Sequence, residues 1–122
     1  MALTLDQLCK KKPHITPVEI EGIGTANVRS ISGDVRSQVE SLWANARDDE
    51  GELDATKLDT VLYRRLIVSG SLCDDDGELL CETAGDTDRV MSLPWQTVEA
   101  IFNAGMKASA LTDDNIEEAE KN

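Results

Sequence analysis

Residues 59–80, DTVLYRRLIVSGSLCDDDGELL, decide the fold, because a helical apolar pattern there runs into a polar turn and out into a second apolar run. Leu58, Val61, Leu62 and Leu66 follow helical spacing, which predicts a half-buried helix with Arg64 and Arg65 off the stripe and facing water. Ser69 and Gly70 are expected to end it, glycine being the residue at which a helix most readily reverses its backbone. Apolar runs containing Leu72–Cys73 and Leu79–Leu80 then flank Asp74, Asp75, Asp76 and Gly77. An Asp-Gly pair between apolar residues predicts a hairpin turn, since both residues tolerate the positive φ that tight turns require.

Working outward, Ser32 is a plausible N-cap for a helix carrying Asp34 in its first turn and Val35, Val39, Leu42, Trp43 and Ala46 on one face. An acidic loop over residues 48–52 follows, and Asp54 can cap the helix of the opening stretch. Upstream, Val18 and Ile20 alternate with Glu19 and Glu21, Gly22 and Gly24 offer a turn, and Ala26 and Val28 alternate with Asn27 and Arg29, which predicts a β-hairpin. Thr4 can cap a short helix over residues 5–12, which Pro13 stops. Downstream, residues 83–88 read as a loop, with a helical turn over residues 88–93. Pro94 suits the first position of a third main helix, whose face is Trp95, Val98, Ile101, Phe102, Gly105 and Met106. Leu111 and a capped helix over residues 113–121 close the chain. The expected class is α+β and mainly helical: three main amphipathic helices, short N- and C-terminal helices, and one or two small β-hairpins.

A length of 122 residues predicts a single domain over residues 1–122, with 1–16 a loosely attached helix and 111–122 an acidic tail. Four aromatic residues, Trp43, Tyr63, Trp95 and Phe102, imply a mostly aliphatic core. The net charge of −12 is uneven: residues 1–47 hold six Lys or Arg against five Asp or Glu, and residues 48–122 hold six against nineteen. Such a surface repels phosphate, so neither nucleic acid nor an anionic membrane is an expected partner. No run approaches the roughly 20 apolar residues of a membrane span, no signal-peptide pattern opens the chain, and cytoplasmic residence is expected. Cys9, Cys73 and Cys81 are odd in number and form no C-x-x-C pair, which fits a reducing compartment.

Candidate chemistry is sparse. With Gly77 at the sixth position of a calcium loop, Leu72 and Thr83 would occupy the places that need Asp and Glu, so a solvated hairpin turn is the better reading. The single histidine, His14, stands far from Cys73 and Cys81, which read as small buried hydrophobes rather than ligands or a nucleophile. Gly22-x-Gly24 has Asn27 where a dinucleotide fingerprint needs its third glycine, and is a turn. The clustered carboxylates read as solvated faces, so no enzyme, metal or cofactor is expected. What remains is apolar surface. Trp95, Val98, Phe102, Met106, Leu111 and Ile116 are the candidate partner-binding residues, with core favoured over interface for Trp95 and Phe102 and neither favoured for Leu111 and Ile116.

Three segments carry a resemblance: Val28-Arg29-Ser30-Ile31-Ser32-Gly33 leading into a helix, the helix-to-turn passage over residues 66–80 with its Asp-Asp-Gly, and the ending ALTDDNIEEAEKN over residues 110–122. Together they resemble the tail assembly chaperones of long-tailed, siphovirus-type bacteriophages, small acidic proteins encoded just before the tape-measure protein. The resemblance implies a non-enzymatic chaperone in the host cytoplasm that coats the tape-measure protein, recruits tail-tube subunits and is absent from the mature virion; separately, an apolar face left uncovered would mark a partner site or a homo-oligomer interface. The resemblance also implies a longer frameshifted product, for which an A-rich run encoding Glu120-Lys121-Asn122 would be the slippery site. The competing readings are a structural virion component, such as a tail or head–tail connector subunit, and an acidic DNA-mimic inhibitor.

Overall fold

A computed structural model describes residues 1–111, in the order α1 (Leu5–Lys10), β1 (Ile15–Ile20), β2 (Gly24–Arg29), α2 (Gly33–Asn45), a 3-10 turn (Ala55–Lys57), α3 (Thr60–Ser71), β3 (Leu72–Cys73), α4 (Ala84–Met91) and α5 (Trp95–Ala108). The class is α+β with a three-stranded antiparallel sheet ordered β1-β2-β3. The expected helix over residues 113–121, with Ile116, lies outside the described residues.

The period-2 pattern sets the sheet's two faces. Val18 pairs with Ala26 and Thr16 with Val28, while Leu72 of β3 joins Val28, so Val18, Ile20, Ala26, Val28 and Leu72 share the covered face. On the other face Thr25 donates to Glu19, Asn27 donates to Asp75 at 2.8 Å, and Arg29 donates to the Gly77 carbonyl at 2.8 Å. The polar face thus holds the acidic turn in place. The second expected hairpin is present but short: beyond the Cys73–Leu79 bridge, Leu80 N–H donates to the Leu72 carbonyl at 3.0 Å and Asp74 N–H to the Glu78 carbonyl at 2.9 Å, while the other edge of β3 pairs with β2. Within the turn the Asp74 carboxylate accepts from the backbone N–H groups of Asp76 and Glu78. Gly77 adopts φ 87°, the conformation that the sequence assigned to it.

Helix α5 lies between the sheet and α3. Val98 and Ile101 join the sheet residues and Val68 in one cluster; Val39, Tyr63, Ile67 and Leu111 form a second with α2; Phe102 touches both. Tyr63 stands edge-on to Phe102 with ring centroids 5.8 Å apart, and Arg64 lies over the Phe102 ring at 4.7 Å. Where α3 and α5 meet, Gly105 faces Ser71 and Ile67 so closely that an added Cβ would stand 2.4 Å from Ser71 Oγ.

Several expectations are corrected. Of the expected stripe Leu58, Val61, Leu62 and Leu66, only Leu66 packs half-buried against the core, while Val61 is 68% exposed and Leu62 is exposed; the buried positions of α3 are Tyr63, Ile67, Val68, Gly70 and Ser71. Helical spacing fits either stripe, and the second meets α5. Gly70 does not stop the helix, which runs on to Ser71; an added Cβ there would lie 3.1 Å from Val35, so the glycine admits α2 instead. Asp54 caps the 3-10 turn, and Asp59 caps α3 by accepting from Leu62 N–H. Residues 84–91 form a helix rather than a loop, set by a capping box in which Thr83 and Asp86 exchange side-chain-to-backbone bonds. Arg64 and Arg65 are half-buried and paired with Glu99 and Asp88. Smaller shifts are that α1 ends at Lys10 and that Pro94 is the N-cap of α5 rather than its first residue.

Candidate functional site

The five candidate residues among those described, Trp95, Val98, Phe102, Met106 and Leu111, do not form one surface. Val98 is buried against the sheet, and Phe102 is half-buried between the two clusters. Met106 packs in the second cluster, its sulfur accepting the Tyr63 hydroxyl at 3.1 Å. Leu111 is 0% exposed. Its burial follows from the end of α5: Ala110 takes φ 56°, and the N–H groups of Ala110 and Leu111 donate back to Lys107 and Met106. That is the Schellman arrangement, which folds the residue after the left-handed position back onto the last turn. Ser109 secures it by accepting from Ile31 N–H.

Trp95 is different. It is 72% exposed, which overturns the expectation that core outweighs interface there. As the first residue of α5 it stands where the helix has outrun its cover, and from α3 only Arg64 lines the adjoining depression. That depression, of about 340 Å³, is lined by Arg64, Met91, Leu93, Trp95, Val98 and Glu99. Leu93 also borders a second shallow groove of about 340 Å³ with Leu72, Leu80, Cys81, Asp86, Arg89 and Val90. On the opposite side, exposed Ile23 at the hairpin tip borders a hollow with Pro94, Gln96 and Thr97. Exposed Leu93 and Ile23 therefore border the start of α5, with Leu80 in the next groove, and none of the three is among the expected site residues. Leu93 had a signal: the residue before a proline is held extended, so it cannot be drawn into a helical core stripe.

At the depression itself charge is balanced, Arg64 against Glu99, and the acidic excess lies in a run that supplies part of the neighbouring groove. Residues 74–88 contain seven Asp or Glu and no Lys or Arg. The pairs Arg64–Glu99 and Arg65–Asp88 tie α3 to α5 and α4, each contributing at most about 1 kcal/mol at such exposure. Neither thiol in this region is activated. Burial pushes the Cys81 thiol above its ordinary 9.0, offset in part by a hydrogen bond with Thr87, and burial likewise raises Cys73. Among the described residues no three His, Cys, Asp or Glu side chains are grouped to hold a metal ion. No helix of the described residues is long and apolar enough to cross a membrane. What the site offers is contact: an indole at the start of a helix, beside Leu93 and Met91, with the Arg64–Glu99 pair at its edge. No protein-family model, curated protein or solved structure matches the chain.

Proposed function

We propose that the chain is a non-enzymatic tail assembly chaperone of a long-tailed bacteriophage, acting in the host cytoplasm by binding the tape-measure protein and recruiting tail-tube subunits. The observation that carries the reading is Trp95, an exposed indole beside Leu93 on a helix whose other apolar residues are committed to the core. Tryptophan ringed by smaller apolar contacts is a usual binding anchor. One anchor on a chain of net charge −12 suits a chaperone that must leave, because moderate contact area gives short residence and like charge keeps bound copies from collapsing together. The segments carrying the family resemblance add to this: residues 28–33 link β2 to α2, and residues 66–80 run from α3 through β3 into the acidic turn.

The test is co-expression with the tape-measure protein encoded beside it. The chaperone reading predicts co-purification of the two and absence of this chain from finished particles. Stoichiometric presence in purified virions would instead make it a structural component, and failure to retain the tape-measure protein would remove the chaperone reading.

A further inference from the structure

Helix α1 lies on the molecule without packing into it. Its start is well made, with Thr4 accepting from Gln7 N–H and the Gln7 side chain accepting from Thr4 N–H. Yet every residue from Met1 to Lys12 is exposed, Leu5 at 74% and Leu8 at 57%. Among the described residues the hydrogen bonds of this segment stay within it, as from Lys11 N–H to the Leu8 carbonyl. Six residues are about half the length at which even favourable isolated helices become marginal, so neither burial nor propensity accounts for α1.

The first half-buried residue is Pro13. It lies on the acidic turn, where a Cβ added to Gly77 would stand 2.8 Å from Pro13 Cγ. Lys12, as the residue before a proline, is held out of the helical region, so the chain bends between α1 and β1. Beside this bend is a hollow of about 860 Å³, which Lys10, Lys11 and Lys12 share with Asp76 and Glu78. The turn has spent its other two carboxylates, since Asp74 accepts from the N–H groups of Asp76 and Glu78 and Asp75 accepts from Asn27. The side chains of Asp76 and Glu78 accept no hydrogen bond among the described residues. Arg29, also at the hollow, is committed to the Gly77 carbonyl. Three ammonium groups therefore face two unspent carboxylates across the hollow rather than in closed ion pairs, the arrangement that salt screens most.

We propose that residues 1–12 are a strap that pivots at Pro13 and is held down by charge, Lys10, Lys11 and Lys12 against Asp76 and Glu78 of the same chain. Salt lifts the strap while the sheet and the other helices stay folded. Lifting also loosens α1 itself, because a helix of this length keeps its turns only while something holds it. The strap involves neither Trp95 nor any tape-measure protein, so it stands or falls apart from the chaperone reading.

The test is amide hydrogen exchange of the full-length chain, followed residue by residue by NMR at fixed pH and temperature in about 20 mM and about 500 mM salt. Expected is exchange over residues 5–10 that quickens about three- to fivefold in the higher salt, while residues 15–29 are unchanged. Asp76→Asn with Glu78→Gln should give the faster exchange already at low salt and lose the salt response. Charge reversal separates attraction from damage to the turn. Lys11→Glu with Lys12→Glu should free the strap, Asp76→Lys with Glu78→Lys should free it too, and the four together should restore slow, salt-sensitive exchange. Native protection over residues 15–29 verifies in each variant that the sheet is intact, and the salt comparison on the unaltered chain stands whether or not a variant folds. Exchange over residues 5–10 indifferent to salt, a salt response that survives loss of both carboxylates, or failure of the fourfold variant to recover protection would each overturn the proposal.

Discussion

At the scale of single residues, the end of α5 shows how little sequence need change to move a side chain from tail to core. Ala110 occupies a left-handed conformation that glycine fills without cost, and by doing so it delivers Leu111 into the cluster of Val39, Tyr63 and Ile67. Ala110→Gly is therefore expected to stabilise the fold by about 1 kcal/mol, read as a higher urea midpoint at unchanged m-value. Gly105 is the opposite case. Its backbone is ordinary, but a Cβ would meet Ser71 Oγ at 2.4 Å, so Gly105→Ala should cost about 1–3 kcal/mol by forcing α3 and α5 apart. The thiols supply a pH test. Burial raises Cys73 and Cys81 above their ordinary 9.0, so folding favours the protonated forms; that stability is complete below pH 9 and is lost as pH climbs through the raised folded values. Stability should thus fall on the alkaline side, and Cys73→Ala with Cys81→Ala should flatten the fall. At pH 8 a maleimide should modify exposed Cys9 first and buried Cys73 last.

At the scale of elements, capping chemistry and alternation were readable and the choice of helix face was not. Thr4 and Ser32 stand at the helix starts expected of them, whereas α3 is capped by Asp59 and not by Asp54, and the strand faces follow from Val18, Ile20, Ala26 and Val28. Helix α4 was hidden because Gly85 and the acids of residues 82–88 look like loop composition, although Thr83 and Asp86 stand at capping-box spacing. Helix α3 was placed correctly but turned wrongly. Both Val61–Leu62–Leu66 and Tyr63–Ile67–Val68 satisfy helical spacing, and only the presence of α5, with a glycine opposite Ser71, selects the second. The two faces give opposite forecasts for similar side chains. Ile67→Ala should lose about 2–5 kcal/mol, whereas Val61→Ser should stay within about 0.5 kcal/mol of the parent in the same urea titration.

At the scale of the whole molecule, the chain separates a committed interior from a negatively charged exterior with a few exposed apolar points. The candidate site was only partly readable for the same reason. Trp95 lies on the stripe of Val98 and Phe102 by spacing, and nothing in spacing reveals that the elements covering α5 stop before its first turn. Leu80 and Leu93 come to one groove only because α4 returns to β3. In the proposed complex Trp95, rather than the buried face of α5, meets the partner. Trp43→Phe leaves Trp95 as the sole tryptophan, so its emission can be read alone as the tape-measure protein is added. The free variant should emit at the long wavelength of a water-exposed indole and shift to shorter wavelength as the complex forms. A complex that forms with the emission unchanged would contradict the claim.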